Sequence, residues 1–344
     1  MTSISVCMIV KNEEDILSRC LDSLTDIADE IIVVDTGSTD RTKEVAARFT
    51  NKIYDFEWCD DFAAARNYSL SFAQCEYIYV ADADEVLDDE NRRRFLQLKE
   101  AILPEVEVVE MAYANSHNFA TTENFQVEYR PKLFRRQRTF QFADPIHEAL
   151  RTDPVVYRSN VTIHHRPTQD HSGRDLTHFA RLLKNNVPFS ARMEMMYARE
   201  LLAGGKLPDF EVAAPYFNRV RDDASRSVEA QRRAACVLTQ GAALKKDSSI
   251  LLDVAAPELV GNPPCEVCCA LGRYYLNVEK PLQAADWYSA AMAGAAPELI
   301  ASSAGSLPLR GLAACHEAVG NTELAREYFE RADAWEAENL HMGY

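Results

Sequence analysis

The sequence predicts an α/β domain built on a parallel-rich sheet, followed by an all-α domain of paired helices. Three observations predict it. Short apolar runs alternate with helix-period segments over the first 100 residues, as in a parallel sheet with crossover helices. Two of these runs end in acid, Val33-Val34-Asp35 and Tyr79-Val80-Ala81-Asp82-Ala83-Asp84, and ligands of such sheets collect at the carboxyl ends of strands. Beyond Gly173 nothing reads as a strand, so the domains are placed at 1–170 and 171–344.

Taken in order, Ser3 to Val10 is a buried strand. Asn12-Glu13-Glu14 then opens a helix whose apolar positions Ile16, Leu17, Cys20, Leu21 and Leu24 keep a helical period. Glu30 to Asp35 is the second strand. It runs into Thr36-Gly37-Ser38-Thr39-Asp40, where glycine permits a tight turn and Thr39 or Asp40 caps the helix carrying Val45, Ala46 and Phe49. Lys52 to Phe56 is a short third strand, and Asp60-Asp61-Phe62 leads into a helix ending near Ala73. Tyr77 to Ala81 is continuously apolar, aromatic and β-branched, the composition of a strand covered on both faces.

After a helix from Asp88 to Ile102 the pattern becomes strands without helices: Val106 to Tyr113, Phe125 to Phe134, Thr139 to Phe142 and Val161 to His165. This half carries Arg130, Lys132, Arg135, Arg136 and Arg138, which read by default as a solvated strand face and otherwise as part of an anion site. In the last strand the period of two puts Val161, Ile163 and His165 on one face and Thr162 and His164 on the other.

The polar stretch Thr168 to Gly173 marks the domain boundary. Leu271-Gly272-x-x-Tyr275 with Ala284, Tyr288 and Ala291 then has the small and large spacing of a tetratricopeptide helix pair. Leu312, Ala325, Phe329 and Ala332 repeat most of it 41 positions later, and Tyr197, Ala213 and Phe217 are a weaker, earlier echo.

Composition bounds the function. A chain of 344 residues that is 47% hydrophobic and 9% aromatic has room for two globular cores. Its formal net charge of −16 speaks against nucleic acid or an anionic membrane as partner and suits a soluble protein. Ser5 to Val10 is too short for a membrane span and has no basic segment before it, so a cytoplasmic protein without a span is expected. Nine cysteines, odd in number and several in apolar runs, read as reduced buried thiols. Cys265, Cys268 and Cys269 lack a second ligand pair of matching spacing, so they read as buried helix cysteines rather than a zinc site.

Asp82 and Asp84 carry the chemistry. Two carboxylates two positions apart repel one another, and a cleft that gathers them usually shares a divalent cation between them. The competing reading has Asp82 capping the next helix and Asp84 in solvent. With Asp35 also at a strand end, all three acids are expected to face one crevice.

Four motifs in order, Ser5-Val6-Cys7-Met8-Ile9-Val10-Lys11-Asn12-Glu13, Val33-Val34-Asp35-Thr36-Gly37-Ser38-Thr39-Asp40, Ala65-Arg66-Asn67 and Asp82-Ala83-Asp84, resemble those of family 2 glycosyltransferases of the A-type fold. Arg130-x-x-Leu133-Phe134-Arg135, Ile146-His147-Glu148 and Ile163-His164-His165, followed by helical repeats, resemble more narrowly the sublancin-type peptide S-glycosyltransferases and their tetratricopeptide-bearing relatives. Two departures stand out: Thr36 replaces a second Asp found in many members, and His165-Arg166-Pro167 replaces a glycine-containing turn.

The resemblance implies a metal-dependent, inverting glycosyltransferase that moves a sugar from a nucleotide sugar, UDP-linked by first choice, to a peptide or protein held by the helical domain. A cysteine thiol is the first-choice nucleophile. In that reading Asp35 bonds the uracil or ribose, with Asn12 and Glu13 bordering the nucleoside. Arg66 and Arg135 lie toward the diphosphate, although Arg66 could equally form a salt bridge to Asp82. Asp84 ligates Mn²⁺ or Mg²⁺, Asp82 touches ribose or metal, and His164 completes the site. Glu148 is the base, with His147 as orienter or alternative base.

Three rival readings stay open. A glycan or lipid-linked acceptor would fit the same donor site. A haloacid-dehalogenase-like phosphatase would use Asp82-Ala83-Asp84-Glu85-Val86 as its Asp-x-Asp-x-Val motif. A peptide-binding repeat scaffold could carry an inactive transferase domain. The sugar and the oligomeric state, monomer or homodimer, are not legible.

Overall fold

A computed structural model describes residues 2–115, 127–138, 140–146, 149–150, 154–166, 174–293 and 297–339. Its contacts divide the chain into two compact units that meet in sequence at Asp170 and His171.

The first unit contains strands β1 (Ile4–Val10), β2 (Glu30–Asp35), β3 (Ile53–Asp55), β4 (Tyr77–Ala81), β5 (Glu85–Val86), β6 (Val108–Asn115), β7 (Val127–Arg135), β8 (Phe142–Ala143), β9 (Ala149–Leu150) and β10 (Val156–His165). Helices α1 (Leu17–Asp22), α2 (Thr42–Ala46), α3 (Phe62–Leu70) and α4 (Asp89–Ala101) lie between the earlier strands. Eight strands form one sheet in the order β3-β2-β1-β4-β7-β6-β10-β5, and β8 pairs with β9 apart from it. β3, β2, β1 and β4 are parallel. β7 then enters antiparallel to both β4 and β6, so the sheet is mixed beyond its first four strands.

The central strands are buried on both faces, and their period of two distributes side chains to two cores. Val6, Met8, Tyr77 and Tyr79 pack with Leu17, Leu21, Ile27 and Phe95. Cys7, Ile32, Ile78 and Val80 pack on the other face with Ala73, Val108 and Phe134, joined by the partly buried Leu70 and Phe142. That two-sided burial is why these strands read as unbroken apolar runs.

Three elements differ from the sequence reading. The first helix begins at Leu17 rather than Asn12. Asn12 has a positive φ of 55°, and Asn12, Glu13 and Glu14 use their backbone N–H groups to tie the loop to Ser38, Thr42 and Asp40. β10 starts at Val156, five residues earlier than its apolar core, because the exposed Val156, Tyr157 and Arg158 still pair with β6. Residues Arg136–Arg138 form a 3-10 turn and the next strand covers only Phe142–Ala143, while Thr139 lies outside the described residues.

The second unit is all helix: α5 (Arg174–Lys184), α6 (Ala191–Gly204), α7 (Leu207–Asp222), α8 (Val228–Lys245), α9 (Ser248–Glu258), α10 (Cys265–Asn277), α11 (Pro281–Met292), α12 (Ser306–Ala318) and α13 (Thr322–Asn339). Successive helices pack on one another, α7 on α8, α10 on α11 and α12 on α13. The repeat pattern has a physical basis in Tyr288, whose ring lies between two glycines. A Cβ at Gly272 of α10 would stand 2.9 Å from that ring, and one at Gly311 of α12 only 2.4 Å. Ala284, Ala291, Ala325 and Ala332 are buried as their spacing predicts, whereas Phe329 is 37% exposed and departs from it.

The earlier echo is a true core, with Tyr197 stacked on Phe217 at 5.6 Å and on Phe179 at 4.7 Å. Cys265 and Cys268 are buried in α10, and the Cys269 thiol donates to the Ser303 carbonyl. Among the described residues, no group of three His, Cys, Asp or Glu side chains is placed to hold a metal by itself, and no helix is long and apolar enough to cross a membrane.

Candidate functional site

Register brings the acids to one edge. Val10 stands opposite Asp35, Asp35 opposite Asp55, and Met8 opposite Ala81, the residue before Asp82. All four strands are parallel, so this is their shared carboxyl edge.

Asp35 is 1% exposed. Its Oδ2 accepts from the N–H groups of Gly37 (3.1 Å) and Ser38 (2.9 Å), while its Oδ1 has no hydrogen-bond partner among the described residues. Gly37 is required here because the turn holds it at φ +98°. An unpartnered buried carboxylate oxygen is costly, so the arrangement suits an incoming N–H or O–H donor. The Thr36 hydroxyl turns inward and donates to the Val10 carbonyl (3.1 Å), so it binds the two strand ends together.

Asn12 performs a similar task. Its Oδ1 accepts from the Thr39 N–H at 2.8 Å and its N–H donates to Ser38 Oγ at 2.9 Å. The Glu13 N–H donates to Thr42 Oγ1 at 2.7 Å. These bonds tie the loop after β1 to the turn after β2.

The acidic turn sits at the end of β4. Asp82 Oδ1 accepts from Arg66 Nη2 at 3.3 Å, and Lys132 Nζ lies 3.8 Å from its Oδ2. Burial would raise this carboxyl, but the Arg66 guanidinium and the Lys132 ammonium outweigh it and hold Asp82 well below the usual carboxylate range. Asp82 does not cap the following helix. Asp88 does, accepting from the Asn91 N–H at 2.8 Å.

Asp84 meets a histidine, and it is His165, not His164. His165 Nε2 lies 2.9 Å from Asp84 Oδ2, whereas His164 Nε2 lies 3.0 Å from Asp88 Oδ2. The cause is the pairing of β5 with β10, which sets His165 opposite Glu85 and His164 opposite Val86. Neighbouring strand residues face opposite ways, so only one of the two can turn toward the acidic pair. The Arg166 N–H also donates to the Asp84 carbonyl at 2.8 Å.

The cations need one further correction. Arg135 pairs in register with Tyr77, the first residue of β4, and its guanidinium donates to the Pro104 carbonyl. It therefore stands at the amino edge of the sheet, about five residues and roughly 17 Å of strand away from Arg130. The cations that do reach the acidic turn are Arg66, Lys132 and Arg130, each of which lowers the Asp82 carboxyl. Arg130 lies over the Tyr113 ring at 4.1 Å, and that ring is 5.3 Å from His165. The sequence motif held both arginines, but nothing in it told that this strand runs backwards.

Arg66 is buried on α3, whose first turn is capped by Asp61 accepting from the Ala64 N–H at 2.9 Å. The next residue faces a different partner. Asn67 donates to the Phe142 carbonyl at 2.9 Å and accepts from the Phe142 N–H at 2.8 Å, while the Phe62 N–H donates to the Pro145 carbonyl. His147 and Glu148 lie outside the described residues, in the segment between β8 and β9.

The parallel edge thus joins the buried Asp35 loop to a turn of paired carboxylates in an α/β domain. Residues 5–161 of this unit match the model of glycosyl transferase family 2. Among curated proteins, the chain is 38% identical over 152 residues to a TPR repeat-containing protein of Synechococcus elongatus, covering 44% of this chain and 36% of that one. It is 30% identical over 162 residues to the glycosyltransferase SunS of Bacillus phage SPbeta, covering 46% and 36%. The matched segment thus spans about a third (36%) of the length of these relatives. Among solved structures, glucosyl-3-phosphoglycerate synthase from Mycobacterium tuberculosis in complex with Mg²⁺ and UDP is 16% identical, covering 55% of this chain and 81% of that one. Its TM-score of 0.40 is too low to bear on the site.

Proposed function

We propose that the chain is a metal-dependent, inverting glycosyltransferase that uses a UDP-linked sugar and glycosylates a peptide or protein acceptor. The observation that carries this reading is the convergence of the Asp84 carboxylate and the His165 imidazole at 2.9 Å. It lies on the sheet edge that also holds the unpartnered Asp35 oxygen. A carboxylate and an imidazole suit Mn²⁺, and a site with few protein donors suits an ion that takes its remaining ligands from phosphate and water. Asp84 and His165 would hold the ion, with Asp82 beside them. Bound there, it supplies positive charge to a departing diphosphate.

The chain's own residues do the rest. Asp35 Oδ1 accepts from the nucleobase or ribose. Arg66 and Lys132 keep Asp82 ionised, so that it accepts a ribose hydroxyl or a metal-bound water. Arg130 takes the diphosphate-facing role first expected of Arg135. Glu148, with His147 beside it, removes the acceptor's proton on the face opposite the leaving group. A thiol acceptor ionises near pH 8.5, about 1.5 units above neutral, and asks little of that base. The helical unit presents the peptide, as stacked helix pairs form extended binding surfaces.

Mn²⁺-dependent release of nucleoside diphosphate from a panel of nucleotide sugars, with and without a cysteine-containing peptide, tests the reading. Release from one donor, increased by peptide and lost in Asp84→Ala, supports it. Binding of UDP without turnover of any donor would favour the scaffold reading, and increase by a glycan or lipid-linked acceptor alone would replace the peptide.

A further inference from the structure

Behind the acidic turn lies a charged pair that no substrate could touch. Glu85 is 3% exposed and Lys132 is 5% exposed. Both Glu85 carboxylate oxygens are used inward: Oε1 accepts from Lys132 Nζ at 2.7 Å, and Oε2 accepts from the Asp82 N–H at 3.1 Å. The Glu85 N–H in turn donates to the Asp82 carbonyl at 3.1 Å. The residues that close the turn on itself are therefore also the residues that hold its two ends.

A structural ion pair alone would not need the second Glu85 oxygen to hold the first residue of the turn. The reciprocal bonds fix the path from Asp82 to Glu85, and β10 fixes the far side through the Arg166 N–H on the Asp84 carbonyl. Between these two anchors, the direction of the Asp84 carboxylate is set by backbone that Glu85 orients. Lys132 sits on β7, so the neighbouring strand reports its position to the turn through Glu85.

We infer that Glu85, held by Lys132, is the positioning residue that aims the Asp82 and Asp84 carboxylates at the metal-nucleotide. It does so through the Asp82 N–H rather than by contact with any ligand. The inference rests on the nucleotide-sugar reading above and deepens it.

The test uses the full chain and calorimetric titration of UDP with and without Mn²⁺, alongside thermal unfolding, for wild type, Glu85→Gln and Glu85→Met. Glu85→Gln keeps an acceptor for the Asp82 N–H, and the freed ammonium has Asp82 Oδ2 3.8 Å away to turn to. It is expected to lower the melting temperature while keeping Mn²⁺-dependent UDP affinity within about threefold of wild type. Glu85→Met has similar size and no acceptor, and is expected to weaken that affinity by about tenfold or more with metal-free UDP binding unchanged.

A folded Glu85→Met that binds Mn²⁺ and UDP like wild type overturns the inference. So does a tenfold loss in Glu85→Gln, because the ion pair rather than the acceptor would then matter, and that arm can overturn the inference even if Glu85→Met does not fold. Absence of Mn²⁺-dependent UDP binding in wild type would instead remove the nucleotide reading, and the inference with it.

Discussion

His165 and Asp84 are bonded through Nε2 and Oδ2 at 2.9 Å, across the antiparallel pairing of β10 with β5. His165→Ala should therefore weaken Mn²⁺ binding about tenfold or more, the effect of losing one metal ligand or its oriented partner. His164→Ala, which loses a contact to the α4 cap residue Asp88, should leave Mn²⁺ affinity within about twofold and cost under about 1 kcal/mol of stability. Mn²⁺ titration of both variants separates them, and equal losses would contradict the assignment of His165.

Asp35 should be sensitive to the exchange of a single heavy atom. Asp35→Asn retains an oxygen for the Gly37 and Ser38 N–H groups but turns an amide donor toward the position of Oδ1. UDP affinity should fall about tenfold or more, in the range of one hydrogen bond to a charged group, with little change in melting temperature. Titration calorimetry without metal measures it directly, and an unchanged affinity would remove Asp35 from the nucleoside site.

At the opposite edge of the sheet, Glu30 accepts from Lys52, the Ser5 hydroxyl and the Gln74 N–H. Burial would raise its carboxyl, but the Lys52 and Ser5 bonds outweigh burial and lower it. A lowered folded value contributes stability that is complete above the unfolded value of about 4.3 and is lost as pH falls through that value toward the folded one. Glu30→Gln should thus be less stable than wild type near pH 7, with the difference shrinking below about pH 4. Melting temperatures from pH 7 to pH 3 would show it, and a constant difference would contradict the linkage.

Gly311 and Gly272 admit the Tyr288 ring from two helices. Gly311→Ala should destabilise the helical unit by about 1–3 kcal/mol, the usual cost of overpacking. Gly272→Ala should cost less, since its added Cβ would stand 2.9 Å from the ring instead of 2.4 Å. Thermal unfolding should show the loss while Mn²⁺-dependent UDP binding is unaffected, and a stabilised Gly311→Ala would mean the ring moves aside freely.

What the sequence disclosed follows from local rules. The β-α order, the acids at strand ends and the burial of most cysteines are set by periodicity and composition, which act over a few residues, although Cys59 is exposed and Cys75 only partly buried. The direction of β7 is not local. It moved Arg135 to the far edge and brought Lys132 and Arg130 to the site. The period of two correctly put His164 and His165 on opposite faces, but which face meets Asp84 depends on how β5 pairs, and that pairing joins residues about 80 positions apart (81 for Asp84 and His165). Asn12 looked like a helix start because its polar neighbours do, yet its side chain is occupied by Thr39 across the crevice.

Arg66 and Asn67 are consecutive on α3, one bonded to Asp82 and the other, twice, to the backbone of Phe142. The span between the acidic turn and the root of the segment that contains His147 and Glu148 is therefore gauged by a single peptide unit, about 3.8 Å between Cα atoms. Bond geometry is far stiffer than side-chain packing, so this spacing inherits covalent tolerance. Residues elsewhere in α3 can be exchanged without altering it, whereas one residue inserted between positions 66 and 67 would put the two anchors out of phase by about 100° of helix.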